Sequence, residues 1–535
     1  MSDNQLLRAS SVMAAGTIVS RITGLIRNLL IVGLLGTAIL GDTYNVANTM
    51  PNILYNLLIG GALTAVFVPQ IVRSLRDLDG GKAFISRLFT LTITFLFLLT
   101  LIGVIFSPQI VNIYAPEYTG RVEFDTTVTL MRYCLPQIFF LGLFALLGQI
   151  TNAKGKFGPM MWAPALNNII AIALFAWLLT SKDEFILGQI SQSDLALLGI
   201  GTTFGYVAQA FILFPVLVKS GVKLSLRFDW ANSQILKSFK LAGWSFVYAL
   251  ISQLSYLVTI NIATSAAVKS LSQGVTTGVG YTPYSNAYLI LILPHSIITV
   301  SVVTALLPQI SNYVIDKKID LVNESLTKAL LPQISNYVID KKIDLVNESL
   351  TKALRLIGVF AVPSALIMFA FGPLIANVLY FGISTEDANY LGLVLSAFAF
   401  GLIPVSINLV LLRGLNAFEN LRSQVIGNFI MNLISVVLSV LAAIYLEPKW
   451  VTVGLAAIFT IHYFIGAAIS FYLIKKHKVD LPIFNLFIFY LKLIVIFSMV
   501  IAPIWVSQDS LPGGNLLRLC LVVSISVVLY LGLSK

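Results

Sequence analysis

Long runs of apolar residues, separated by short polar segments, recur along the whole 535-residue chain. A helix that crosses a hydrocarbon layer of about 30 Å needs roughly 20 apolar residues, and its backbone satisfies its own hydrogen bonds there. The pattern predicts about fourteen such spans, near 10–37, 44–72, 84–114, 126–152, 160–181, 195–219, 235–268, 281–307, 353–381, 388–415, 422–445, 449–475, 484–506 and 515–533. The chain is therefore predicted to be an all-α integral membrane protein.

The composition and charge agree with this prediction: 58% of the residues are hydrophobic and only 11% are charged, with a net charge of +11. If the N-terminus is cytoplasmic, basic residues such as Arg73 and Lys154 concentrate in cytoplasmic loops, whereas the opposite loops carry acids such as Glu117 and Asp183. This positive-inside bias predicts the orientation. It also explains the positive charge by contact with membrane lipids, without a nucleic-acid partner.

Two repeats organise the chain. The segment 305–328 is repeated without a change at 329–352, between spans eight and nine. The second copy is predicted to form an amphipathic helix at the membrane surface, in a cytoplasmic loop. A fainter repeat relates TAVFVPQI (64–71) to TALLPQI (304–310), and another relates ITNAKGKF (150–157) to LNAFENL (415–421).

The offsets of the fainter repeat agree once the duplication is removed. Pro69 and Pro308 lie 239 residues apart, and Asn152 and Asn416 lie 264 apart, which becomes 240 without the additional 24 residues. We therefore predict two pseudo-symmetric six-helix lobes, 1–230 and 231–480, followed by spans thirteen and fourteen in 481–535. Repeated helix bundles of this kind are typical of secondary transporters.

The polar residues indicate transport rather than catalysis. His295, His462 and His477 are scattered, and Cys134 and Cys520 show no paired spacing. The sequence shows no Cys cluster or Gly-rich phosphate loop, so no catalytic residue, metal or cofactor is predicted and the chain is not expected to be an enzyme. His295 follows Pro294 within span eight, where both a packing role and a cavity-facing role stay open.

Charge inside the predicted spans is cationic. No carboxylate occupies a mid-span position, and Asp42 lies at the link between spans one and two. Arg21 and Arg27 lie six residues apart in span one, about 9 Å along the axis and 120° beyond a whole turn. They share a broad face, close to Ser20 and Thr23. Two guanidiniums on a water-filled cavity suit a diphosphate. The alternative is that Arg27 only extends to the interface.

The stretches SRITGLIRNLL (20–30) and GDTYNVANTMPNILYNLLIGGALTAVFVPQIV (41–72) resemble the MurJ/MviN lipid II flippases. TNAKGKFGPMMWAPALNNI, VVTALLPQIS and RGLNAF extend the resemblance over nearly the whole chain. The residues that match the family pattern one by one are Ser20, Arg21, Gly24, Arg27, Asp42, Pro51 and Asn52. The resemblance implies a fold of the multidrug/oligosaccharidyl-lipid/polysaccharide (MOP) exporter class. It also implies a multi-pass protein of the bacterial cytoplasmic membrane that moves undecaprenyl-diphosphate-linked peptidoglycan precursor to the outer leaflet by alternating access.

The chain departs from many family members in its polar positions. Asn28, Tyr55, Gly60 and Leu289 stand where those members carry Asp, Arg, Glu and Arg, which resembles the actinobacterial branch. Arg21 and Arg27 are therefore predicted to bind the substrate diphosphate. A second group is predicted to line the cavity or its gates: Ser20, Gly24, Asp42, Pro51, Asn52 and His295.

Span two is also predicted to be bent, because Pro51 removes a helix hydrogen bond and Gly60 and Gly61 loosen the backbone. Two alternatives to the flippase stay open. One is an exporter of another lipid-linked polysaccharide unit or of drugs. The other is a non-transporting cell-wall scaffold, for which Arg21 would be dispensable. Lipid II and membrane lipids are the expected partners, with cell-wall synthesis or division proteins as further candidates.

Overall fold

A computed structural model of the chain describes residues 3–57, 68–75, 77–181, 185–229, 243–275, 277–296, 332–418, 421–510 and 513–533. These residues are almost entirely helical. In the first part of the chain the helices are α1 (Asp3–Leu35), α2 (Ile39–Tyr55), α3 (Val68–Ser74), α4 (Lys82–Ile105), α5 (Ser107–Tyr114), α6 (Val122–Cys134), α7 (Gln137–Ala153), α8 (Gly158–Ser181), α9 (Gln192–Phe211), α10 (Leu213–Lys219), α11 (Gly243–Ser272) and α12 (Tyr281–Pro294).

The later helices are fewer and longer. They are α13 (Pro332–Leu379), α14 (Thr385–Ala399), α15 (Leu402–Ala417), α16 (Leu421–Tyr445), α17 (Pro448–Lys476), α18 (Ile483–Ser507) and α19 (Asn515–Leu533). Short 3-10 turns lie at Pro116–Tyr118 and Gln508–Ser510. The all-α prediction is confirmed.

Ten helices in the described part of the chain are long and apolar enough to cross a membrane, and the bent pair α14–α15, with 46° between its halves, brings the number to 11. The other three predicted spans coincide with α2, α12 and α19, of 17, 14 and 19 residues. The described helices thus agree approximately with the fourteen predicted spans.

The chain packs as two compact units. The first comprises Met1–Pro283 with Tyr380–Ser384, and the second comprises Tyr284–Leu379 with Thr385–Lys535. The predicted lobes, 1–230 and 231–480, are defined by internal repeats rather than by packing. They stay a prediction, as does the separate segment 481–535.

In the first unit, α1 packs along α8 through small residues. Gly16, Ser20 and Gly24 recur every fourth position of α1, the spacing that brings small residues onto one face and lets membrane helices approach closely. A Cβ atom on Gly16 would lie 2.8 Å from the Trp162 ring of α8, so no larger residue fits there without rearrangement. The two helices are consequently in close backbone contact where α1 carries its arginines.

In the second unit, the second copy of the duplication forms the start of α13. This part is helical, as predicted, but it continues without a break into span nine. Ile343, Val346 and Leu350 are buried on one stripe of the helix, and the Asn347 side chain donates to the Asp480 carbonyl at 2.8 Å. The first copy, 305–328, lies outside the described residues. The helix changes direction only at Phe371, which has φ −117° and ψ 21°.

Candidate functional site

The two predicted arginines both lie on α1. The Arg21 side chain is exposed and Arg27 is half-buried. Among the residues that the structure describes, neither arginine is paired with a carboxylate. Cations within membrane helices normally pair or face an aqueous cavity, because burial of an isolated charge in hydrocarbon is costly. The described carboxylates therefore neutralise neither guanidinium, and the predicted role of both in diphosphate binding stays a prediction.

Neutral polar side chains of α2, α7 and α9 hydrogen-bond to one another in the first unit. Tyr44 of α2 is buried, lies within 3.0 Å of the Thr202 hydroxyl of α9, and is close enough to Arg27 to interact with it electrostatically. Gln137 of α7 donates to Asn48 of α2 at 3.2 Å and to Thr203 of α9 at 3.3 Å. These contacts join three helices by neutral groups, so they do not neutralise the positive charge of α1.

Ser20 and Gly24 are both at the contact of α1 with α8. The Asn168 amide of α8 donates to the Ser20 carbonyl at 2.9 Å and to the Thr23 hydroxyl at 3.1 Å. A Cβ on Gly24 would lie 3.4 Å from the same amide nitrogen. The structure therefore brings Ser20 and Gly24 together with the arginines on one segment of α1, at a helix contact. Their predicted role in the cavity or gate stays a prediction.

Asp42 is fully buried near the start of α2. Its two carboxylate oxygens accept hydrogen bonds from the backbone N–H groups of Tyr281, at 2.9 Å, and Thr282, at 2.6 Å. The first N–H groups of a helix have no partner within the helix, and a carboxylate there is also favoured by the helix dipole. Asp42 thus caps the N-terminus of α12, and its predicted gating role stays a prediction.

Close packing around Asp42 explains the glycine that precedes α12. Gly280 has φ +140°, a region that residues with a side chain rarely adopt. A Cβ there would also collide with the Asp42 carboxylate. The neighbouring Asn45 donates to the Thr282 hydroxyl at 2.9 Å. The cap therefore depends on both a carboxylate in α2 and a glycine before α12.

Pro51 and Asn52 lie within α2, which continues through them to Tyr55. Pro51 is buried, and the Asn52 carbonyl accepts from the backbone N–H of Asn56. Gly60 and Gly61 lie outside the described residues, so the bend predicted for span two stays a prediction.

His295 belongs to the second unit rather than to the segment that carries the arginines. Its Nδ1 atom lies 3.0 Å from the Ser406 hydroxyl, and both residues are buried. They line a small cavity together with Ile357, Phe360, Ala361 and Leu402. The side chain is thus hydrogen-bonded and also faces a cavity. No assembly of three or more His, Cys, Asp or Glu side chains suited to a metal occurs in the described part of the chain.

Residue-type reasoning missed the amides of the first unit: Asn48, Gln137, Asn167 and Asn168. All four lie in membrane helices, and the last three are buried. A signal was present, because amides inside apolar spans usually face the bundle interior. The sequence alone does not show which helix each amide contacts.

The helical fold is similar to that of solved membrane transporters. It superposes on a solved lipid II flippase MurJ in an inward closed conformation with a TM-score of 0.74, covering 98% of this chain and 97% of that one, at 21% identity. An inward-facing multidrug resistance MATE family transporter of the MOP superfamily matches with a TM-score of 0.62, covering 86% and 95% of the two chains, at 14% identity. At these identities the likeness concerns the fold alone.

The family model described as lipid II flippase MurJ matches residues 31–330 and 319–517. The chain belongs to this family. The two matched ranges overlap at 319–330, within the duplicated stretch.

Named relatives agree with the family. A probable lipid II flippase MurJ of Vibrio cholerae serotype O1 is 26% identical over 326 residues, which cover 59% of this chain and 58% of the relative. One of Rickettsia prowazekii is 27% identical over 320 residues, 59% of each protein. The chain thus spans somewhat less than two thirds of the length of these relatives.

Proposed function

We propose that this protein translocates an undecaprenyl-diphosphate-linked peptidoglycan precursor, lipid II, from the cytoplasmic to the outer leaflet by alternating access. The observation that carries the proposal is the arginine pair on α1, which has no carboxylate partner in the described residues of a lipid II flippase family member. A guanidinium stays protonated and offers forked donors that match phosphate oxygens.

The buried carboxylates support an anionic cargo. Among the described residues, Asp42 and Glu123 are the buried acids. Asp42 already accepts two backbone N–H groups, and Glu123 pairs with Arg121 at 3.4 Å. Neither is free to compete with a phosphate for Arg21 or Arg27.

The transport cycle requires no bond to be made or broken, so we propose that the protein is not an enzyme. The N-terminus lies in the cytoplasm of a bacterial cell, and lipid II and bulk membrane lipids are the partners. Cell-wall synthesis or division proteins are further candidate partners. The membrane potential supplies the driving force, at about 2.3 kcal/mol for each elementary charge moved through 100 mV.

The test is complementation of a strain in which the resident lipid II flippase is depleted, with outer-leaflet lipid II measured directly. The wild-type gene is expected to restore growth and export. Arg21→Ala and Arg27→Ala are each expected to fail at normal membrane abundance. Loss of a charged partner of a phosphate costs about 2–4 kcal/mol, or roughly 30- to 1,000-fold in binding.

Arg227→Ala is the matched control, because it removes the same side chain from an ion pair with Asp229 in which both side chains are exposed, outside α1. Such pairs contribute little to stability, so this variant should complement. Normal growth and export by Arg21→Ala would refute the diphosphate role and favour the scaffold alternative. Growth restored without lipid II export would indicate that another cargo or a scaffold function is responsible.

A further inference from the structure

One buried amide connects α8 to the segment of α1 that carries the arginines. Asn168 is 6% exposed, and its Nδ2 group donates to the Ser20 carbonyl at 2.9 Å and to the Thr23 hydroxyl at 3.1 Å. Thr23 donates in turn to the Val19 carbonyl at 2.8 Å. The amide is therefore hydrogen-bonded to the turn of α1 that contains Arg21.

These two hydrogen bonds constrain the rotation of α1 about its own axis. Arg21 follows Ser20 by one residue, or 100°, and Arg27 follows it by seven residues, 20° short of two turns. A guanidinium about 6 Å from the helix axis moves by about 2 Å when the helix rotates by 20°. Such a shift is enough to break bidentate contacts with a phosphate group.

The neighbouring contacts between α1 and α8 involve glycines, so the Asn168 amide is the directional contact that constrains this rotation. Gly16 and Gly24 flank Ser20 on the face toward α8 and carry no side chains that could lock into α8. Close approach of the two backbones then depends on directional polar contacts. The Trp162 indole donates to the Val12 carbonyl at 3.2 Å, three turns below Thr23, whereas Asn168 contacts the turn that contains Arg21.

We propose that Asn168 is a positioning residue for diphosphate binding: its amide fixes the axial rotation of α1 and thereby aims Arg21 and Arg27 at the two phosphates. The inference rests on the proposed function, since it presupposes that these arginines bind a diphosphate. It adds a residue of α8 that touches no ligand and acts through α1.

The adjacent residue provides a matched control. Asn167 is also a buried amide of α8, with 3% exposure, but it donates to Gln209 of α9 at 3.0 Å instead of to α1. Replacement of either residue by Leu removes a buried amide of the same size from the same helix. Only Asn168→Leu releases α1, so a difference between the two variants reports on positioning rather than on general packing.

The experiment measures binding of undecaprenyl diphosphate to the purified full-length protein in lipid nanodiscs. Asn168→Leu is expected to weaken binding about tenfold, the effect of a lost hydrogen-bonded contact. Asn167→Leu should change it by less than about twofold. In an Arg21→Ala background, Asn168→Leu should weaken binding further by less than about twofold, because residues that act through one another give non-additive effects.

The inference would be overturned by unchanged binding in Asn168→Leu or by equal weakening of binding in Asn167→Leu. It would also be overturned if Asn168→Leu weakened binding by the same factor in the wild-type and the Arg21→Ala backgrounds. If Asn168→Leu does not fold, Thr23→Val removes one acceptor and leaves the bond to the Ser20 carbonyl. This variant should weaken binding about two- to threefold, and unchanged binding would refute the proposal. Wild-type affinity in Arg21→Ala would instead show that the proposed function itself is wrong.

Discussion

Removal of the Asp42 carboxylate should destabilise the first unit strongly. Asp42→Ala leaves two buried N–H groups at the start of α12 without an acceptor, those of Tyr281 and Thr282. Each unsatisfied buried donor costs about 1–3 kcal/mol, and loss of the favourable dipole interaction adds up to about 1 kcal/mol. The total is about 2–7 kcal/mol. Asp42→Asn keeps one carbonyl oxygen as an acceptor, so its loss of unfolding free energy should be about half of that in Asp42→Ala.

The assay is the apparent melting temperature of the purified protein in detergent, followed by size-exclusion chromatography with fluorescence detection. A loss of this size is expected to lower the melting temperature by roughly 5–10 °C for Asp42→Ala and by less for Asp42→Asn.

Asp229→Asn is the control, because Asp229 is exposed although it lies 2.6 Å from Arg87. The Arg87 guanidinium holds the pKa of the Asp229 carboxyl at about 2. The pair is solvated, so its loss should leave the melting temperature nearly unchanged. A folded Asp42→Ala protein that melts within 1 °C of wild type, on the order of measurement error, would refute the capping argument.

Three further predictions concern the duplication and the arginines. Deletion of 329–352 should leave expression and lipid II export nearly intact, because the two copies are identical and removal of either gives the same chain. Leu350→Ala should lower stability by about 2–5 kcal/mol, because Leu350 is fully buried, whereas Leu356→Ala, at an exposed position of the same helix, should cost less in the same melting assay. Arg21→Lys should retain only part of the export activity, because an ammonium lacks the forked geometry.

Each of these predictions has a contrary outcome. Loss of folding or export in the deletion would show that the added 24 residues have become structural. Equal losses in Leu350→Ala and Leu356→Ala would mean that burial of Leu350 does not contribute to stability. Full export by Arg21→Lys would show that charge alone, without bidentate geometry, is sufficient.

Much of the fold could be predicted from the sequence because hydrophobic length is a direct requirement of the bilayer. The arginines of α1 could be identified for the same reason, since a cation in an apolar span is unusual. Partners of polar side chains could not be predicted. For Asp42, no sequence pattern indicates that its carboxylate accepts hydrogen bonds from backbone groups 239 and 240 positions away.

The duplication shows a second limit. Its polar residues at helical spacing correctly predict a helix, but the same pattern does not reveal that the helix continues into span nine. Where α13 enters span nine it makes buried long-range contacts, such as the hydrogen bond that the Tyr490 hydroxyl donates to the Leu354 carbonyl at 2.7 Å. Such a contact joins positions 136 residues apart, and a local pattern carries no information about it.

The start of α13 has a consequence for how this family member can change in length. Proline suits the first turn of a helix but disrupts an interior position. Because 24 residues correspond to 6.67 helical turns, an uninterrupted helix through both copies would present equivalent residues on faces 240° apart. Each copy instead carries its own proline, Pro308 or Pro332. A tandem duplication of this segment therefore adds a second proline together with the 24 residues, and the sequence that leads from the last copy into span nine is the same whether one copy or two precede it.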